Sequence, residues 1–267
     1  MQYQYQFGFI GCGNMGGALA SAVAKTVCAK EIAVCDYDEK KTTALKDTYG
    51  VCVENAPSLV KNSRFVVLGV KPQMMQATLQ SVQSDLAENE RVILISMAAG
   101  LSMNAIRAFA GKEYPVIRLM PNTPCAVGAG MVLYSTLGVS ETDEQAFLNA
   151  FQKAGRLDKL DEKYIDAAGA LSGCGPAFSY MFAKSLADGA VECGLPEEKA
   201  ALYAAQTLLG AAEMLLAYGD PETLKNNVCS PNGTTIEGVQ SLEKDNFRAI
   251  TAKSVKEAYR RTLELKK

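Results

Sequence analysis

Phe7-Gly8-Phe9-Ile10-Gly11-Cys12-Gly13-Asn14-Met15-Gly16 is the stretch that decides the fold. A short apolar run of strand character ends at Ile10 and passes directly into G-x-G-x-x-G, and a helical pattern follows from Asn14. In that setting Gly11 permits the tight turn and Gly13 lets backbone approach a pyrophosphate. Gly16 lets the helix lie close against the strand. The unpaired N–H groups at the start of the helix then favour a phosphate. By itself the pattern is only a glycine-rich turn. A strand before it, a helix after it and Asp36 at the end of the next apolar run make it a dinucleotide site.

Outward from this stretch, short runs rich in Val, Ile and Phe recur at 7–10, 32–35, 65–70, 92–95 and 116–119. None alternates strictly, as suits parallel strands buried on both faces. Helical patterns separate them at 14–27, 39–49, 73–86 and 102–110, and 131–134 and 141–154 read as a further strand and helix. This strand–helix alternation predicts an α/β, Rossmann-type doubly wound sheet over 1–160.

From about 161 to 267 no strand pattern is found, and the expectation is an all-α domain. Pro176 and Pro196 suit helix starts, with Glu197 and Glu198 complementing the second helix dipole and Gly219 ending it. Residues 200–217 are apolar nearly all round, interrupted by Gln206, Thr207 and Glu213. A soluble helix of that kind is buried on every face. A tail of about a hundred residues has difficulty covering it, so the helix is read as an interface with a second copy. The competing reading is a helix central to its own domain.

Composition narrows the function classes. The net charge of −2 gives no reason to expect nucleic acid or an anionic membrane as a partner. The chain has eight cysteines in no C-x-x-C pair and no histidine at all, so no metal site is expected. Ser-His-Asp and Cys-His machinery are excluded as well. The segment MQYQYQFGFIGCG lacks the basic flank and apolar core of a secretion signal, which points to the reducing cytoplasm.

Four strand ends and one late loop carry the remaining candidates. Val70-Lys71-Pro72 and Ser96-Met97-Ala98-Ala99-Gly100 lie where ligands of an open parallel sheet bind, beyond the strand C-termini. Asp36 is placed to accept hydrogen bonds from an adenosine ribose and to disfavour a 2′-phosphate, while Asp38 reads as a helix N-cap and Lys40 and Lys41 oppose that disfavour. Arg118-Leu119-Met120-Pro121-Asn122-Thr123-Pro124 is a proline-fixed loop. Cys229-Ser230-Pro231-Asn232-Gly233-Thr234-Thr235 reads either as a carboxylate cradle at a helix start or as plain Ser/Thr capping.

Six segments in order, 9–18, 70–73, 96–100, 118–123, 170–177 and 228–238, resemble those of the pyrroline-5-carboxylate reductases. The stretch SPNGTTIEGVQSLE resembles a signature written around S-P-G-G-T-T. The resemblance implies a Rossmann domain followed by an all-α dimerisation domain, assembled as a homodimer or a ring of dimers. It implies reduction of L-1-pyrroline-5-carboxylate to L-proline with NADPH or NADH, and assigns the cofactor to Gly11, Cys12, Gly13, Asn14, Met15, Gly16, Asn55, Val70, Lys71, Pro72, Ala98, Ala99 and Asn227. It assigns the substrate to Glu162, Ser230, Gly233, Thr234 and Thr235, with Thr235 hydrogen-bonding the ring nitrogen. Two positions depart from the pattern. Asn232 stands where a glycine is usual, and Asp36 stands where residues suited to NADPH are common. The alternatives are a β-hydroxyacid dehydrogenase-like oxidoreductase and a non-catalytic nucleotide-binding protein. Against the first, the position of its lysine is taken by Ser179, with Lys184 further on.

Overall fold

A computed structural model describes residues 3–264, so the outer ends of the expected domains 1–160 and 161–267 lie outside the described residues. The chain forms two compact units, one running to Cys174 and resuming at Ala258, the other Gly175–Glu257.

The first unit is a single eight-stranded sheet with helices. Its elements are β1 (Tyr5–Ile10), α1 (Asn14–Val23), β2 (Ile32–Cys35), α2 (Glu39–Tyr49), β3 (Cys52–Val53), α3 (Ala56–Asn62), β4 (Ser63–Leu68), α4 (Pro72–Ser81), α5 (Gln83–Ala87), β5 (Ile93–Ser96), α6 (Met103–Ala110), β6 (Val116–Met120), β7 (Gly130–Leu137), α7 (Glu141–Phe151), β8 (Gly155–Lys159) and α8 (Glu162–Ser172). The strand order is β3-β2-β1-β4-β5-β6-β7-β8, its first six being the Rossmann order. All pairs are parallel except β6 with β7.

Side-chain alternation explains the unbroken apolar runs. Phe7, Phe9, Phe65, Val67, Ile93, Ile95, Ile117 and Leu119 enter one core. Their neighbours Ile10, Val66, Leu68, Leu94 and Val116 enter another. Successive residues of a strand face opposite sides, so the central strands are buried on both faces and are apolar at most positions.

The structure redraws several boundaries. The run expected to extend to Val70 ends at Leu68, because Gly69 donates its amide to Ile10 O and a Cβ on Gly69 would lie 2.3 Å from Gly11 O. The helix expected over 73–86 breaks at Val82 into α4 and α5. The helix expected over 14–27 stops at Val23, and Thr26 Oγ1 donates to Ala150 O at 2.7 Å. β3 is two residues long, and β8 is a polar edge strand of sequence GRLDK, so neither carries a periodic apolar signal.

The second unit holds α9 (Gly175–Glu192), α10 (Glu197–Tyr218), α11 (Pro221–Val228) and α12 (Thr234–Lys244), while α13 (Phe247–Glu264) crosses the division in sequence. No strand is found after Lys159 among the described residues. α9 and α10 pack through small residues, Ala187, Ala200 and Ala204, which are buried. The large side chains of α10 are exposed, among them Leu202, Tyr203, Leu209, Met214, Leu215 and Leu216. By length and composition α10 is also apolar enough to cross a membrane.

Candidate active site

Three glycines close the β1–α1 turn in the first unit. Gly11 has φ +94°, a left-handed conformation that glycine adopts without strain. A Cβ on Gly16 would lie 2.0 Å from Gly11 O, so strand and helix meet at a distance only glycine allows. Gly13 differs: an added Cβ would meet nothing within 4 Å. Gly13 is the N-cap of α1, with no side chain capping the helix and no acid in its first turn. Amides at an uncapped helix start beside open space fit a pyrophosphate.

Asp36 follows β2 and is fastened to that turn. Its Oδ2 accepts from the Cys12 amide at 2.6 Å, and its Oδ1 accepts from the Asp38 amide at 2.9 Å. Lys41 Nζ lies 3.5 Å from Oδ1. Burial alone would raise the Asp36 pKa, but these two amides and the Lys41 ammonium outweigh it and hold the carboxyl below its usual range. Cys12 is buried, its Sγ directed at Cys35 O, and burial next to Asp36 pushes the thiol up to about 12. It contributes backbone here, not a reactive sulfur.

A cleft of about 760 Å³ opens beside the turn. It unites Gly11, Gly13, Asp36, Asn55, Val70 and Lys71 from the sequence reading. The Asn55 side chain caps α3 by accepting from the Ser58 amide at 2.9 Å, and Lys71 is the exposed N-cap residue of α4, with Pro72 following as its first residue. Asn14, Met15 and Gly16 form the first turn of α1. Ala98 and Ala99 follow β5 beyond the same end of the sheet, β5 pairing with β4 at Leu68↔Ser96, but they do not line this cleft.

The sequence reading did not single out Tyr37, Val53 and Met74, which bring exposed apolar surface to the cleft, with Tyr37 91% exposed. A tyrosine directly after the strand-end acid was the available signal. Glu162 serves another contact: its carboxylate accepts from the Met103 amide at 2.7 Å and lies 3.5 Å from Arg118. With the buried Arg118–Asp166 pair at 2.5 Å, it ties α8 to β6 and to the start of α6.

In the second unit the loop between α11 and α12 has the features of a cradle. Asn232 has φ +58°, the left-handed conformation that asparagine tolerates. Gly233 is the N-cap of α12, and a Cβ there would lie 2.3 Å from Ser230 Oγ. Thr234 and Thr235 open the helix, exposed, and neither hydroxyl has a protein partner among the described residues. Asn227 lines a separate cavity of about 520 Å³ with Met214, Tyr218, Asp220, Thr223 and Leu224.

A family model described as pyrroline-5-carboxylate reductase dimerisation matches residues 162–265, and one described as NADP oxidoreductase, coenzyme F420-dependent, matches residues 6–100. The pyrroline-5-carboxylate reductase of Arabidopsis thaliana is 38% identical over 98% of this chain and 95% of its own. That of Escherichia coli is 35% identical over 98% of both. The chain belongs to the pyrroline-5-carboxylate reductase family. Its fold is that of two solved members at 30% identity. The Coxiella burnetii pyrroline-5-carboxylate reductase has a TM-score of 0.89 over 99% of each chain, and the Plasmodium falciparum pyrroline carboxylate reductase, solved with NADP bound, 0.88 over 100% of each. A Rossmann-like sheet followed by an all-α dimerisation region is therefore the architecture of this chain.

Proposed function

We infer that the protein is an NAD(P)H-dependent reductase of the C=N bond of L-1-pyrroline-5-carboxylate, forming L-proline. The observation that carries this reading is end-to-end membership of the family together with an intact glycine turn and a 230–235 loop that keeps Ser230, Gly233, Thr234 and Thr235. A purely structural descendant would have no reason to keep both.

The first unit supplies the dinucleotide site. Amides at the start of α1 hold the pyrophosphate, Asp36 takes the adenosine ribose hydroxyls, and Tyr37, Val53 and Met74 border the base. Val70, Lys71, Ala98 and Ala99 bring backbone and an ammonium to the nicotinamide side. A bound reduced nicotinamide supplies the hydride. The second unit supplies the substrate loop: Ser230, Gly233 and Thr234 hold the carboxylate at the start of α12, and Thr235 keeps the ring nitrogen in register. An iminium forms near neutral pH without a strong enzyme acid, consistent with a chain that has no histidine. Catalysis then rests on positioning, which is worth up to ~7–11 kcal/mol. Glu162 acts at one remove, through the Met103 and Arg118 contacts that hold α8.

The fixed, ionised Asp36 gives the protein a lean toward NADH within a family whose Plasmodium member was solved with NADP. A second copy is the proposed cover for the exposed face of α10, in line with the dimerisation model over this region and giving a homodimer able to build a ring. Eight unpaired cysteines accord with a cytosolic setting. The β-hydroxyacid dehydrogenase alternative loses its lysine: Lys184 is exposed and ion-paired with Asp188. The reading is tested by NADH absorbance with purified protein. Loss that requires both protein and pyrroline-5-carboxylate supports it, and loss indifferent to the imine refutes it.

A further inference from the structure

We propose that Glu162 is a positioning residue for the loop between β5 and α6, fixing it through the Met103 amide, and that Arg118 and Asp166 hold Glu162 in register. This rests on the reductase reading, in which Ala98 and Ala99 on that loop face the nicotinamide side. It gives Glu162 a task other than the substrate contact that the family resemblance implies.

β5 ends at Ser96 and α6 begins at Met103, so residues 97–102 form the loop. Both of its ends are tied. At the strand end Ser96 Oγ accepts from the Ala98 amide at 3.4 Å, and Ala98 is buried. Gly100 turns the chain at φ +79°. At the helix end Ser102 Oγ accepts from the Ala105 amide at 3.2 Å, as an N-cap does. That leaves the Met103 amide, one of the donors a helix start cannot satisfy from within. Glu162 Oε1 accepts from it at 2.7 Å. A carboxylate there also meets the positive end of the α6 dipole.

The position of Glu162 is set by how α8 lies on β6. Arg118 and Met120 are alternate residues of β6, and Asn122 follows just beyond its end. Each of them meets α8. Arg118 pairs with Asp166 at 2.5 Å and with Glu162 at 3.5 Å. A Cβ on Gly169 would lie 2.9 Å from Met120 Cγ, so the helix sits tightly on that side chain. Asn122 Nδ2 donates to Ser172 O at 3.0 Å. Residues 162, 166, 169 and 172 are spaced by four and three, the spacing of one helix face. Arg118 and Asp166 are 2% and 4% exposed, so their pair is dry and resists displacement by solvent. Arg118 also stands beside Ser96 in the sheet. One residue of β6 therefore neighbours the start of the loop and, through Glu162, holds its end.

The test separates the nicotinamide from the rest of the coenzyme. Full-length wild type, Glu162→Ala, Glu162→Gln and Asp166→Asn are titrated with NADH and with ADP-ribose, which lacks the nicotinamide. Glu162→Ala should weaken NADH about fivefold and leave ADP-ribose unchanged. Glu162→Gln keeps an oxygen able to accept from Met103 and should retain most of the NADH affinity. Asp166→Asn should show the same selective loss as Glu162→Ala. A further variant, Met103→Pro, removes the donor at a first helical position that suits proline. In that background Glu162→Ala should add no further loss of NADH. Equal loss of both ligands, an additive loss in the Met103→Pro background, or a raised KM for the imine with NADH affinity intact overturns the proposal. Failure of the reductase reading shows separately, as wild-type protein that binds NADH but does not oxidise it when the imine is supplied.

Discussion

The Asp36 carboxylate accepts a hydrogen bond from the Cys12 amide at 2.6 Å, so the acid at the end of β2 is built into the glycine turn. If Asp36 meets the adenosine ribose as proposed, coenzyme choice and turn geometry are coupled. The Asp36 pKa is lowered, so the stability it contributes is complete above its unfolded value, ~3.9, and is lost as pH falls through the lower folded value. Above pH 5 the group stays charged. The 2′-phosphate of NADPH is what titrates, near pH ~6. The NADPH-to-NADH ratio of kcat/KM should rise for the wild type as pH drops from about 7.5 to about 5.5, because repulsion by Asp36 falls. In Asp36→Ser, where Lys41 dominates, the ratio should fall over the same range. Parallel trends in the two proteins would contradict this account.

The glycines of the turn separate into packing and binding roles. Gly16→Ala places a Cβ against the Gly11 carbonyl and should destabilise the protein by ~1–3 kcal/mol, read as a lower Tm with loss of dinucleotide binding. Gly13→Ala meets open space and should keep the wild-type Tm while losing NADH affinity. If Gly13→Ala binds NADH normally, the pyrophosphate does not lie over that residue.

The loop before α12 offers a similar contrast. Asn232→Gly should retain activity, whereas Asn232→Val forces a β-branched residue to φ +58° at a cost of ~1–2 kcal/mol and should raise KM for the imine while sparing NADH binding. Thr235→Ala should lower kcat by the equivalent of ~0.5–1.5 kcal/mol, again sparing NADH. Unchanged turnover in a folded Thr235→Ala protein removes that residue from the reaction.

Leu216 is 76% exposed on α10 and Leu209 is 52% exposed. Replacing Leu216 with Glu should disrupt self-association, giving inactive or aggregated protein in sedimentation experiments. A folded, fully active monomer would show that α10 is not the subunit interface.

Most of the sheet was legible because burial on both faces leaves an unmistakable trace: Phe65-Val66-Val67-Leu68 has no polar residue to hide its type. The glycine turn was legible for the same kind of reason, since only glycine fits at 11 and 16. β8 was not, because an edge strand reading Gly155-Arg156-Leu157-Asp158-Lys159 is composed like a loop. The break at Val82 was hidden because the apolar residues on both sides, Leu79 and Leu86, continue a helical spacing across it. Of the candidate site, Asp36 was legible from position alone. Its bond to the Cys12 amide and the suspension of Lys41 between two acids depend on backbone geometry that no spacing rule contains. Glu162 shows the converse, a carboxylate whose charge is taken up by Met103 N and Arg118.

The most direct test of the central claim follows the hydride itself. The purified protein is given NADH carrying deuterium at the transferable position of the nicotinamide, with L-1-pyrroline-5-carboxylate as the only acceptor, and the product is analysed by mass spectrometry. The account predicts L-proline bearing one deuterium on the δ carbon, the former imine carbon, in step with the NADH consumed. Proline free of deuterium, or NADH oxidised without proline, would contradict it.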